Sequence, residues 1–225
     1  MAAVSSFKSL AIDLLFPLEC LSCGRVGRYC CPACLSRIPP LGPTGRGEAS
    51  RPFLGYPYAH PLLRTLIRGW KYDGYLAAEP ALVALVERWF LKHGEALPRF
   101  DAIGAVPLHP DRARERGFNQ SERLADAIAG FVGRPRIASG TIIRRSRTRP
   151  QAEIDDPDAR HRNVRQAFAA DPQVIRGMTI LVVDDVCTTG ATLEACADAL
   201  SEAGAARLCG FALAGALHKS GKTLE

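Results

Sequence analysis

The chain has no apolar run approaching the ~20 residues that a helix needs to cross a bilayer, so a membrane-spanning helix is not its organising element. An export signal is not read either. The apolar stretch at the N-terminus is interrupted by Lys8 and Asp13, no small-residue cleavage site follows, and Glu19 stands where a lipoprotein signal ahead of Cys20 needs a small residue. Val4 to Leu15 reads instead as a short amphipathic helix, and a cytoplasmic location with reduced thiols is expected. Lysine is scarce: 5 Lys stand against 24 Arg, so the net charge of +6 is carried almost wholly by guanidinium groups. The 225 residues are enough for one α/β domain with a small appendage.

Thr179 to Thr192, TILVVDDVCTTGAT, concentrates the chemistry. It opens as a β-branched apolar run, the pattern of a strand buried on both faces. Asp184 and Asp185 are expected to close that strand, a short turn with three threonines and a glycine follows, and a helix is expected over Leu193 to Ala203. Ligands of open α/β sheets bind at the carboxyl ends of strands, and a helix start offers N–H groups to anions. A ligand with phosphate and hydroxyl groups is the expectation. Cys187 to Thr192 supply N–H donors, Thr188, Thr189 and Thr192 add hydroxyls, and Gly190 permits close approach or positive φ. Asp184 and Asp185 can accept from ribose hydroxyls. The stretch, with Val186 and Ala191 completing it, resembles the phosphoribosyl-pyrophosphate (PRPP) motif of type I phosphoribosyltransferases.

Five of the eight cysteines fall between Cys20 and Cys34. Cys20, Cys23, Cys31 and Cys34 form two CxxC knuckles separated by seven residues, which points to a structural Zn²⁺ site, with Cys30 left over. Cys196 and Cys209 read as small buried residues.

Residues 35–52 are rich in Pro, Gly and Ser and read as a linker, giving an N-terminal zinc module over 1–50 and a main domain over 51–225. Strands are expected at 53–59, 101–106, near 141–146, at 179–185 and at 207–214, with helices over 62–70, 78–91, 119–132 and 193–203. Strand alternating with helix gives a five-stranded parallel sheet flanked by helices. Asn119, with Glu122 three residues on, marks a helix start. Residues 134–165 hold nine Arg against four acids, and read equally as a phosphate-seeking or nucleic-acid-binding loop or as a solvated surface. A loose P-loop match over residues 216–223 is set aside, because only two residues follow Thr223 and no helix can form there.

The knuckles, Lys71-Tyr72, Val106-Pro107-Leu108, Arg116-Gly117-Phe118-Asn119-Gln120, Gln151, Arg162-Asn163-Val164 and Asp184–Thr192 occur in an order that resembles the ComF family of competence proteins. The resemblance covers nearly the whole chain. It implies a type I phosphoribosyltransferase-like fold behind a zinc knuckle, and a role in natural transformation in handling single-stranded DNA after uptake, with helicase or recombination proteins as partners. Onto this sequence it carries a 5′-phosphate on residues 188–192, ribose hydroxyls on Asp184 and Asp185, and pyrophosphate on Arg116 and Lys71, with Mg²⁺ riding on the pyrophosphate. Asn119 is expected as a helix cap and Phe118 as a core anchor. The competing reading is an active transferase moving phosphoribose to an unidentified base or amine. A purely structural adaptor fits least, since DDVCTTGAT is intact.

Overall fold

A computed structural model of the chain describes residues 17–43, 47–72, 75–145 and 167–216. The helix expected over Val4 to Leu15, most of the basic segment, Gln151, Arg162 to Val164 and the tail after Ala216 lie outside the described residues.

The main sheet has four parallel strands in the order β1-β6-β5-β2: β1 (Phe53–Pro57), β2 (Ala102–Ala105), β5 (Thr179–Cys187) and β6 (Arg207–Gly215). Helices connect them: α2 (Pro61–Tyr72), α3 (Glu79–His93), α4 (Pro110–Arg116), α5 (Gln120–Val132) and α7 (Ala191–Glu202). Two short helices, α1 (Pro32–Leu35) and α6 (Pro172–Ile175), complete the described set.

The fifth strand of the sequence count does not join this sheet. Ile142 to Arg144 form β3, which pairs antiparallel with β4 (Phe168–Ala170) in a separate two-stranded sheet. Only Ile142 of β3 is buried while Ile143 is exposed, so the strand has one buried face and cannot sit inside a sheet covered on both sides. The position beside β2 is taken by a single parallel bridge between Ile103 and Arg136.

Both faces of the main sheet are covered, as the apolar run of β5 requires. Leu181 and Val183 of β5, with Phe211 and Leu213 of β6, face α2, α3 and α5. Ile180 and Val182 face the other way, against α7 and the β3–β4 pair. The cysteine-bearing segment shares the first of these cores: Cys20, Cys31, Cys34 and Ile38 are buried in the cluster that contains Leu63, Trp70 and Trp89. Arg88 of α3 ties it there, donating to the Leu35 and Ile38 carbonyls and to the Tyr56 hydroxyl. Trp89 Nε1 donates to the Leu41 carbonyl at 2.9 Å.

Candidate functional site

β5 runs to Cys187, so Asp184 and Asp185 lie inside the strand and do not close it. Successive strand side chains point to opposite faces. Asp185 continues the face of Leu181 and Val183, towards α2; Asp184 continues the face of Ile180 and Val182. The two carboxylates therefore leave the sheet on different sides. Lys71, at the end of α2, donates to Asp185 Oδ1 at 2.7 Å with both side chains nearly buried. Ser121, on the first turn of α5, donates to Asp184 Oδ1 at 2.9 Å, and the Asp185 N–H donates to the same oxygen at 2.8 Å. Burial and the neighbouring Asp185 charge push the Asp184 carboxyl up to about 7, against the opposing pull of Lys71 and the hydrogen bonds.

The turn after β5 delivers the chain into α7. Gly190 caps that helix at φ +87°, a conformation L side chains rarely adopt, and a β-carbon there would come within 3.1 Å of the Ser50 carbonyl oxygen. The first intrahelical bond is Glu194 N–H to the Gly190 carbonyl, which leaves the N–H groups of Gly190 to Leu193 without acceptors inside the helix; Ala191 N–H is received at 3.4 Å by the Thr189 hydroxyl. Asp184, Val186 to Thr192 and Leu193 surround a hollow of only about 30 Å³, dimensions suited to one small anionic group. Cys187 is buried, and burial pushes its thiol up.

The segment Arg116 to Ser121 takes one structural job per residue. Gly117 ends α4 in the left-handed conformation at φ +74°. Phe118 packs on Trp70 with ring centroids 5.6 Å apart. Asn119 caps α5, accepting from Ser121 N–H, and its amide donates to the Val106 carbonyl, which pins the helix start beside the end of β2. Gln120 is buried and accepts from Arg116 at 3.1 Å. The Arg116 guanidinium also lies 5.0 Å from the Tyr72 ring centroid. Trp70, Lys71, Tyr72, Arg112, Glu115, Arg116 and Phe118 enclose a cleft of about 500 Å³, and Lys71 joins this cleft to the carboxylate pair.

The sequence reading missed Ser121 and Arg144. A polar residue two places after a helix cap was the available signal for Ser121. Arg144, in a basic run that reads equally from sequence as a nucleic-acid-binding loop or as a solvated surface, is largely buried and stacks 5.3 Å from the Phe168 ring centroid. Burial and Arg112 push its guanidinium down, and the Asp184 charge opposes them.

The sulfurs of Cys20, Cys23, Cys31 and Cys34 all lie within 4.8 Å of one another, and the Cys23–Cys31 pair is 3.7 Å apart. A tetrahedral ion with Zn–S bonds of about 2.3 Å places its sulfurs about 3.8 Å apart, so the cluster fits a bound metal. The first knuckle turns through Gly24, whose N–H donates to the Cys20 carbonyl, and in the second Cys31 caps α1 with Pro32 at its first position. Cys31 N–H donates to Cys20 Sγ, which helps pull the Cys20 thiol down to about 6, towards the thiolate a metal needs. Cys30 stands outside the four, and burial pushes its thiol up to about 12.

Comparison with known proteins agrees with this fold. The model of the phosphoribosyl transferase domain matches residues 125–222. The DNA utilization protein YhgH of Salmonella typhimurium is 32% identical over 197 residues, which span 83% of this chain and 86% of that protein. The chain belongs to the ComF family. The YhgH protein of Salmonella typhi is 35% identical over 65% of this chain and 64% of its own length. The competence protein ComFC of Streptococcus pneumoniae is 27% identical over 75% of this chain and 69% of its own. No helix among the described residues is long and apolar enough to cross a membrane.

Proposed function

We propose that this chain binds PRPP at the carboxyl end of β5 and acts in natural competence, handling internalised single-stranded DNA in the cytoplasm. The observation that carries the ligand assignment is the carboxylate pair, with Asp185 held by Lys71 and Asp184 by Ser121, followed directly by the glycine-capped turn. In this reading the turn from Val186 to Thr192 receives the 5′-phosphate, Asp184 and Asp185 accept from the ribose hydroxyls, and Lys71 and Arg116 meet the pyrophosphate end. Mg²⁺ would be held mainly by ligand oxygens and water, adding positive charge beside the two carboxylates. Zn²⁺ on Cys20, Cys23, Cys31 and Cys34 is structural, and the chain divides into a zinc module over 1–50 and the phosphoribosyltransferase-like domain over 51–225. The competence role rests on the names of the relatives, a DNA utilization protein and a competence protein; helicase or recombination proteins would be its partners.

Calorimetric titration of the zinc-loaded chain with PRPP and Mg²⁺, beside Asp184→Asn/Asp185→Asn, tests the ligand. Saturable binding that disappears in the variant is the expected result; equal heats from both would remove the carboxylates from the site.

A second reading, transfer of phosphoribose to a base or amine with release of pyrophosphate, is favoured by the 500 Å³ cleft beside Lys71, which leaves room for an acceptor. Pyrophosphate release from PRPP across a panel of bases and amines measures it.

A further inference from the structure

The two ends of α2 have different surroundings. Its last turn carries Lys71 to the carboxylate pair. Its first turn, about 15 Å back along the helix axis, borders a groove of about 390 Å³ lined by Leu21, Ser22, His60, Pro61, Leu62 and Thr65. The groove therefore lies between the helix and the first cysteine knuckle. Leu21 is 42% exposed, and Leu18 and Val26 of the same knuckle are exposed as well. His60 Nδ1 is buried without a hydrogen-bond partner among the described residues, and a polar atom so placed is satisfied when a ligand group reaches it.

The charge around this groove is of one sign. From Cys20 to Tyr72 the sequence holds eight Lys and Arg against a single acid, Glu48, so the segment that builds the groove has a strong positive excess. Arg64 and Arg68 are exposed one turn apart on α2, each three residues beyond a groove residue, Pro61 and Thr65. Cys20 N–H donates to the Arg25 carbonyl and Leu21 N–H to the Tyr29 carbonyl, which keeps the exposed Arg25 and Arg28 in the turn that carries Leu21. None of these four arginines forms an ion pair among the described residues.

From an aliphatic groove set among unpaired arginines, we infer that the knuckle and the start of α2 form a docking site for an acidic protein segment with apolar anchors. An apolar side chain of the partner enters between Leu21, Pro61 and Leu62, and its flanking carboxylates meet Arg25, Arg28, Arg64 and Arg68, the pattern by which arginine clusters hold acidic motifs. His60 adds a polar contact within the groove. A second copy of this chain fits badly, since a symmetric pairing sets the same basic surface against itself. A nucleic-acid strand would use the arginines, but the groove presents no Phe, Tyr or Trp face on which a base could stack. A bilayer is flat and would leave the groove empty. The site is separate from the one proposed for PRPP, which uses the opposite end of α2, and the inference does not depend on that assignment.

The probe is a short fluorescein-labelled peptide of aspartate pairs separated by leucines, titrated by anisotropy into the full zinc-loaded chain. Saturable binding that weakens with added salt is expected. Leu21→Ser should lower the affinity about tenfold, the scale of one leucine withdrawn from an apolar pocket. Arg64→Glu/Arg68→Glu should lower it by a similar factor, and Thr65→Trp, which fills the groove, should abolish binding. All four positions are exposed, so the core is untouched, and each variant should keep its zinc and its response to PRPP in calorimetry. Peptide binding that is absent from the parent chain, or unchanged in Leu21→Ser and Thr65→Trp, overturns the inference. So does a loss of affinity for oligothymidylate or for anionic phospholipid vesicles, with the peptide unaffected, which would make the surface one for a strand or a membrane. A changed sedimentation coefficient in either variant would give the groove to a second copy, and a lowered thermal midpoint of unliganded Thr65→Trp would give it to the chain's own residues; both overturn it as well. Absence of PRPP heats from the parent chain sinks the phosphoribosyl assignment and leaves the docking site standing.

Discussion

Ser121 donates its hydroxyl to Asp184 at 2.9 Å, joining the first turn of α5 to the end of a strand 63 residues further along the chain. The bond makes the orientation of one carboxylate depend on a helix start that is itself fixed by Asn119. A hydrogen bond to a charged group contributes about 2 kcal/mol. Ser121→Ala is therefore expected to weaken PRPP binding some tenfold or more while leaving the far-ultraviolet circular dichroism unchanged. Unaltered calorimetric affinity would show that Asp184 is oriented without it.

The raised Asp184 carboxyl predicts opposite pH trends for stability and for binding. The folded chain keeps this proton up to about 7, whereas an unfolded chain releases it near 3.8. The contribution of this group to stability is complete at pH values below the unfolded pKa and is lost progressively as pH rises through the folded one. The urea midpoint of the ligand-free protein should fall across that window, and Asp184→Asn should remove this part of the slope. PRPP affinity should rise only as pH passes about 7, where the folded carboxyl ionises and can accept from the ribose hydroxyls.

Lys71→Met leaves the buried Asp185 carboxylate without its cation. Removing one member of a buried pair costs about 3 kcal/mol, and equilibrium denaturation should show a loss of that order. Lys71→Met/Asp185→Asn should recover much of it. A double variant as unstable as the single one would show that the lysine acts through packing alone.

Metal removal should reach both tryptophans. Trp70 shares a core with the cysteine cluster, and Trp89 is hydrogen-bonded to Leu41. Cys20→Ser or a chelator should shift tryptophan emission and lower the thermal midpoint, while Cys30→Ser retains the metal. Emission unchanged on chelation would mean that the module opens without disturbing its neighbours.

Arg88→Lys keeps the charge but loses the planar fork that serves the Leu35 and Ile38 carbonyls and the Tyr56 hydroxyl together. A loss of about 2 kcal/mol in stability is expected from the buried acceptors left unserved. Denaturation of the zinc-loaded variant measures it.

The order of elements and the glycine turn could be read from the chain because they follow from local rules. β5 announces itself by its β-branched run, α5 by Asn119, and the cysteine cluster by its spacing. What escaped was set by tertiary context. The segment near Ile142 has strand composition, but nothing local says which sheet it joins. That Asp184 and Asp185 leave the sheet on opposite faces follows from strand alternation, yet nothing local says that Lys71 of α2 and Ser121 at the start of α5, helices of one face, are the side chains that reach them. The role of Arg144 stayed open in the sequence, since nothing local says that Phe168 of β4 pairs opposite it and receives its guanidinium.

The approach of the Ser50 carbonyl to Gly190 bears on anyone who would isolate the main domain by protein engineering. Ser50 is the last residue of the proposed module by sequence, but it stands as a wall against the turn that opens α7. A chain begun after it would lack that wall and expose the turn on one side. A construction that starts before Gly47, whose carbonyl accepts from Gly210 N–H, keeps the strap across β6 and the wall together.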